Sequence, residues 1–190
     1  MSTSDAIRQM LQESAETKLA AKGLADKIAV FAEWMKETYL HGGKVILFGN
    51  GGSLCDAAHI AGELVGRFKL QRRGLPAIAL ADPAILTAVG NDYDFSAVFT
   101  RQVEAWATPG DLAVGISTSG KSPNVLAALL AARQRGARTV ALTGAAGESI
   151  MAEAADLVLA APSSNTPRIQ ECHITIGHIV CELVEQHLEK

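Results

Sequence analysis

Between Leu112 and Asn124 the chain reads LAVGISTSGKSPN, and four hydroxyl side chains, Ser117, Thr118, Ser119 and Ser122, surround Gly120 there. An apolar run leads into the stretch, and an apolar segment of helical period, Val125 to Leu130, leads out of it. Ser122 stands where an N-cap belongs and Pro123 at the first helical position, where a missing N–H costs nothing. Strand, hydroxyl-rich turn and helix N-terminus in this order bring backbone N–H groups, serine hydroxyls and the positive end of a helix dipole to one point. A phosphate group suits such a pocket. A capped turn that binds nothing needs fewer hydroxyls than these.

The same stretch matches the P-loop pattern, with Gly115, four residues, then Gly120-Lys121-Ser122. Its context argues against a nucleotide hydrolase. Gly115 lies inside an apolar run that reads as strand, whereas a P-loop opens on its first glycine. Pro123 falls where that loop's helix is already turning, and the acidic strand end Ala77-Ile78-Ala79-Leu80-Ala81-Asp82 precedes the match instead of following it.

A second loop of interest is Gly49-Asn50-Gly51-Gly52-Ser53, between the apolar run Lys44 to Phe48 and a predicted helix from about Leu54 to Lys69. Leu54 takes the place of the third glycine in a dinucleotide fingerprint, so the loop offers backbone N–H groups and Ser53 without being that motif. On the following helix His59 and Glu63 are four apart and share a face. A surface pair of this kind is common and contributes little. Here the neighbours are small or apolar, from Ala57 and Ala58 to Leu64 and Val65, so the helix is expected to be mostly buried and the pair to face a polar cavity. Asn91-Asp92 reads as a turn whose polar groups could meet a sugar hydroxyl. His178, among Ile174, Ile176, Ile179 and Val180, reads by itself as a core histidine; His41, His173 and His187 also receive structural readings.

Elements must position these groups. Residues 3 to 40 read as helix broken near Gly23, with Ile28, Phe31, Met35 and Tyr39 forming an apolar stripe. Two helices before the first strand exceed what a small sheet needs, and residues 1–41 are expected to pack against another subunit, Phe31 and Met35 especially. Strands are predicted at Lys44–Phe48, Pro76–Ala81, from Leu112, Arg138–Thr143 and Asp156–Ala160. Helices are predicted from Asp82-Pro83 to near Gly90, Phe95–Trp106, after Ser122, and from Arg168 to about Leu188. Alternating βα units demand a parallel sheet with right-handed crossovers and helices on both faces. The expected fold is an α/β three-layer sandwich around a five-stranded sheet of flavodoxin-like order 2-1-3-4-5, in one domain over 1–190. Ligands then bind between strands 1 and 3, where the order reverses. The loops after those strands are the two already singled out.

Bulk properties fit an ordinary globular protein: 190 residues, 48% hydrophobic, 19% charged, formal charge −3. No basic tract with interleaved aromatics points to nucleic acid. No apolar run reaches the ~18 residues of a membrane span, and MSTSDAIRQM lacks an export pattern. Cys55, Cys172 and Cys181 lack metal-knuckle spacing, and reduced cytoplasmic thiols are the expectation.

The combination GNGGS, CDAAHIAGEL, GND, GISTSGKSPNV and RIQECHITIGHI closely resembles the phosphoheptose isomerases of the sugar-isomerase (SIS) family over essentially the whole chain. The serine loop indicates only the SIS domain, while the His–Glu and Gln–His pairs narrow it to the isomerases. The resemblance implies an aldose–ketose isomerase converting sedoheptulose 7-phosphate to D-glycero-D-manno-heptose 7-phosphate, the first step toward lipopolysaccharide heptose. It implies a cytoplasmic homotetramer with sites at subunit contacts. It assigns phosphate to Ser117, Thr118, Ser119 and Ser122, the sugar chain to Asn50, Gly51, Gly52, Ser53, Asn91 and Asp92, and further substrate contact to Glu63 and Gln170. It makes Glu63 the catalytic base and His178 its acid/base partner. It also implies one zinc per subunit on His59, Glu63, Gln170 and His178. Gln170 and His178 are eight apart, hence ~12 Å along a helix axis and ~80° around it, so both reach one ion only from a distorted helix or from different chains. Leu54 stands where a histidine is frequent in the family and Gly62 where a glutamate is, which touches fine specificity. The remaining rivals are a non-catalytic SIS module binding sugar phosphates and the P-loop hydrolase.

Overall fold

A computed structural model describes residues 1–188. Five parallel strands, β1 (Val45–Gly49), β2 (Ala77–Ala79), β3 (Leu112–Ser117), β4 (Arg138–Gly144) and β5 (Leu157–Ala161), lie in the order β2-β1-β3-β4-β5, as the sequence predicts. The β1–β3 register runs from Val45↔Leu112 to Gly49↔Ile116, so the loops after these strands leave the sheet side by side.

Both faces of the sheet are covered, because successive strand residues point to opposite sides. Val45, Leu47, Val114 and Ile116 join one core with α2 (Ala25–Leu40), α3 (Gly52–Val65) and α8 (Thr166–Leu188). Ile46, Phe48, Ala113 and Ala141 join a second with α5 (Thr100–Trp106) and α6 (Pro123–Gln134); Met151 of α7 (Glu148–Ala152) belongs to it too. The remaining helices are α1 (Thr3–Ala20) and α4 (Pro83–Asp92).

Several expectations need correction. Phe95–Trp106 is not one helix: a short 3₁₀ turn at Phe95–Ala97, capped by Asp94 Oδ1 accepting from Ser96 N at 2.7 Å, precedes the seven-residue α5. Asn91 and Asp92 are the last residues of α4 rather than a turn beyond it. The α3 helix stops at Val65, four residues short of Lys69. Its last carbonyls have no helical partner, and the Arg72 guanidinium donates to Glu63 O and Leu64 O at 2.9 Å each. Nor is α3 mostly buried in the chain: Cys55, Ala58, Gly62 and Val65 are exposed on one face. The α2 stripe serves the chain itself, since Phe31 and Met35 are buried against the first core. Helix α1 buries none of its residues and leaves Ile7, Met10, Leu11 and Leu19 exposed.

Candidate active site

The hydroxyl loop forms as its residue types dictate. Gly120 takes φ +69°, a left-handed conformation that favours glycine, and its N–H closes the turn on Ser117 O at 3.1 Å. Ser122 occupies the N-cap position of α6, yet its hydroxyl caps nothing and lies 2.8 Å from Ser117 Oγ. Ser119 Oγ accepts from Lys121 N at 3.2 Å. Thr118 and Ser119 face a cleft of about 210 Å³ shared with Lys121, Ser163, Ser164 and Thr166. Gly115 lies inside β3, where a Cβ would stand 3.0 Å from Leu129 and Val125. A P-loop cannot start there, so the hydrolase reading falls.

The glycine loop sits beside it, joined by a pair of amides. Asn50 Nδ2 donates to Asn124 Oδ1 at 2.9 Å, and Asn124 Nδ2 donates back to Asn50 Oδ1 at 2.8 Å. Ser53 is buried in the first turn of α3. Gln170, in the second turn of α8, lies over this loop: a Cβ on Gly52 would come within 2.6 Å of its Nε2. A cleft of about 300 Å³ opens between Asn50, Ser122 and Asn124 on one side and Asp94, Phe95 and Ser96 on the other.

Further along α3 comes a cluster of two histidines and a glutamate. His59 Nε2 lies 3.2 Å from Glu63 Oε1 and 3.1 Å from Nε2 of His178, which α8 supplies. One donor atom from each of the three lies within 4.8 Å of the others. The Phe68 ring packs on His178 with centroids 5.5 Å apart. Phe68 is held in turn by Glu185, whose buried carboxylate accepts from the backbone N–H of Phe68, Lys69 and Leu70 at 3.0, 2.6 and 2.9 Å. Arg72 Nε stands 2.9 Å from Glu185 Oε1, an ion pair without a hydrogen bond's alignment. Burial alone would raise the Glu185 carboxyl, but the three N–H groups and Arg72 outweigh it and hold it below its ordinary value.

Two imidazole nitrogens and a carboxylate oxygen, from one exposed and two half-buried side chains and all within 4.8 Å of one another, form a donor set that zinc accepts. Gln170 lies on the same helix, eight residues before His178. The α8 helix runs without interruption from Thr166 to Leu188, so no distortion draws Gln170 toward His178. His173 has the structural role expected of it: fully buried, it donates from Nε2 to Thr143 O at 2.9 Å, pinning α8 to the end of β4. Burial pushes it down to about 4, so the ring is neutral.

Asn91 and Asp92 are exposed, and their side chains bond each other at 2.9 Å; neither joins the two loops by a hydrogen bond within this chain. Three neighbours of the cleft escape the sequence reading: Asp94, Phe95 and Ser96. The Asx-type cap Asp94-Phe95-Ser96 was a signal for a turn, but nothing in it points at Asn50. Asn124 escaped as well, although it closes the hydroxyl stretch.

Residues 6–144 match the SIS domain family. The phosphoheptose isomerase of Geobacter sulfurreducens is 60% identical over 166 residues, 87% of either chain, and that of Aquifex aeolicus 53% identical over 186 residues, 95% of either. Among solved structures, phosphoheptose isomerase GmhA from Neisseria gonorrhoeae superposes with a TM-score of 0.91 at 39% identity, over 97% of this chain and 100% of that one. A phosphoheptose isomerase from Francisella tularensis gives 0.93 at 37%, over 98% and 100%. With a sheet whose reversal point carries the hydroxyl and glycine loops, and with relatives this near over this much of its length, the chain belongs to the SIS family and, within it, to the phosphoheptose isomerases.

Proposed function

We infer that the chain isomerises sedoheptulose 7-phosphate to D-glycero-D-manno-heptose 7-phosphate through an enediol. The observation that carries this reading is the His59–Glu63–His178 cluster, an acid/base set built on the helix that the glycine loop opens. A non-catalytic sugar-phosphate module has no use for it. Glu63 takes the proton that moves between C1 and C2 and returns it on the same face, while His178 serves the substrate oxygens. Such positioned groups each contribute about 10²–10⁴-fold. Ser117, Thr118, Ser119 and Ser122 hold the phosphate, whose remote binding energy fixes the reacting carbons. Asn50, Gly51, Gly52, Ser53 and Gln170 line the sugar chain's path. Asn91 and Asp92 reach substrate from the position they hold at the end of α4, by serving a site that a second subunit completes.

His59, Glu63 and His178 would hold zinc, with Gln170 the remaining candidate ligand; bound there, the ion would polarise a substrate oxygen. Residues 1–190 act as one SIS domain, cytoplasmic and tetrameric, feeding heptose to surface glycans such as lipopolysaccharide. Assembly through residues 1–41 is supported by exposed Ile7, Met10, Leu11 and Leu19 on α1, and by an apolar groove of about 370 Å³ lined by Ala25, Ile28, Ile176, Ile179 and Leu183. The described residues contain no helix long and apolar enough to cross a membrane.

The test is isomerisation of sedoheptulose 7-phosphate in deuterated water by wild type and Glu63→Gln. Enediol chemistry puts deuterium at C2 of the aldose in wild type, and the variant loses about 10²-fold or more in turnover while still binding phosphate. Incorporation at an unchanged rate in Glu63→Gln would remove Glu63 from the base role.

A further inference from the structure

The β1–β3 ladder ends at Gly49↔Ile116, and beyond it the two ligand loops have no strand pairing to keep them together. Among the described residues, one side-chain contact takes over: the reciprocal amide pair of Asn50 and Asn124. Asn124 is 2% exposed and lies in the first turn of α6. Its Oδ1 accepts from Asn50 Nδ2 and from Val125 N, the latter at 3.0 Å, while its Nδ2 donates to Asn50 Oδ1. The Val125 N–H fixes which way the amide points, because only an oxygen can accept it. The helix that carries the hydroxyl loop at its N-terminus therefore grips Asn50, the first residue beyond β1.

We propose that Asn124 is a positioning residue that aligns the two halves of the site. This rests on the sugar-phosphate isomerase reading. The phosphate is anchored on the β3–α6 side and the sugar chain runs over the β1–α3 side toward Glu63 and His178. The distance between phosphate and reacting carbons is fixed by the substrate, so the two loops must keep a fixed separation for the carbons to reach the base. Asn124 sets that separation and touches no reacting atom. A consequence concerns Asn50: one N–H of its Nδ2 and one lone pair of its Oδ1 are committed to Asn124, which fixes the direction in which the rest of the amide faces the cleft. The pair differs from a packing contact in being directional, and Asn124 is buried enough that losing Asn50 leaves it an unmet polar group.

A double-mutant cycle tests this: Asn50→Ala, Asn124→Ala and the two together, read by kcat and KM for sedoheptulose 7-phosphate, by inorganic phosphate binding, and by amide hydrogen exchange of residues 50–53. A clamp predicts that the single variants lose kcat by a similar factor, about 10–100-fold, and that the double variant is no worse than either. Inorganic phosphate, which touches one loop only, binds within threefold of wild type. Exchange at residues 50–53 accelerates at least tenfold in Asn124→Ala. A merely structural asparagine would lower the melting temperature without this split between kcat and phosphate binding. If Asn124→Ala does not fold, Asn124→Ser leaves an acceptor near Val125 N–H while releasing Asn50, and is read the same way. Full kcat with unchanged exchange in the variant overturns the proposal. So does a double variant whose loss is the product of the two single losses, since the two asparagines would then act independently. The exchange arm does not depend on the reaction: a wild type inactive on this substrate, with exchange still accelerated in the variant, overturns the isomerase reading and leaves the clamp standing.

Discussion

Gly177 and Ile60 are in tight contact between the two helices that carry the His59–Glu63–His178 cluster, and each is the chain neighbour of a cluster histidine. A Cβ at Gly177 would lie 2.6 Å from Ile60 Cδ1 and 2.8 Å from its Cγ1. Carbon atoms rest at about 3.5–4.0 Å, so Gly177→Ala demands about 1 Å of clearance. Turning χ2 of Ile60 moves Cδ1 but leaves Cγ1 where it is, and χ1 of a helical isoleucine has one strongly preferred setting. Helix α8 must then step away from α3, and the 3.1 Å between His59 and His178 opens toward about 4 Å. A 1 Å misplacement of this kind costs on the order of 10²-fold in rate. Stability changes less: overpacking costs about 1–3 kcal/mol, and replacing a helical glycine by alanine returns about 1 kcal/mol. At about 2–4 °C per kcal/mol for a chain of this size, the net loss lowers the melting temperature by at most about 8 °C. The assay is isomerase turnover beside a thermal melt, with Ile60→Ala added in the Gly177→Ala background. That second change removes both clashing atoms and recovers rate, at a cost of about 2–5 kcal/mol in stability. Full activity in Gly177→Ala, or a loss that Ile60→Ala does not relieve, would refute the reasoning.

Two further outcomes follow from the cluster and its support. Purified protein is expected to contain zinc, measured by elemental analysis, and His59→Ala to lower that content; equal content in both would remove His59 from the ligand set. The Glu185 carboxyl is held below its ordinary value of 4.5, so its stabilising contribution is complete above that pH and is lost as pH falls through the lower folded value. Glu185→Gln should cost about 3–5 kcal/mol at neutral pH, by leaving buried Arg72 without its partner. Its melting temperature should fall less steeply than the wild type's below pH 4.5, and parallel curves would dismiss the linkage.

The strand order, the reversal point and both ligand loops were legible because each rests on local signals: apolar runs of strand length, glycine and hydroxyl turns, a proline at a helix start. His59 and Glu63 were legible as a pair by helical spacing, but adding His178 took the family resemblance, since its neighbours read as core. What stayed hidden depends on partners distant in sequence. Nothing between Gly66 and Leu75 announces that Glu185 will gather its N–H groups, so the apolar pattern alone carries α3 on to Lys69. The Phe31–Met35 stripe looked like a surplus for another subunit because its true cover, α8, lies more than a hundred residues away. Asp94 to Ser96 broke the expected helix through a cap that local periodicity does not register.

The division of the acid/base cluster between α3 and α8 also governs how the enzyme comes into being. His59 and His178 are 119 residues apart, and between them the chain must lay down four of the five strands. Contacts of such separation pay their loop-closure entropy before they give anything back, and so form late. A nascent chain can complete the phosphate loop, and β3 with it, long before α8 is synthesised. Anion binding can therefore precede catalysis along the folding pathway. Recovery of turnover during refolding is expected to follow the docking of one helix, with phosphate binding by the partly folded chain expected before it.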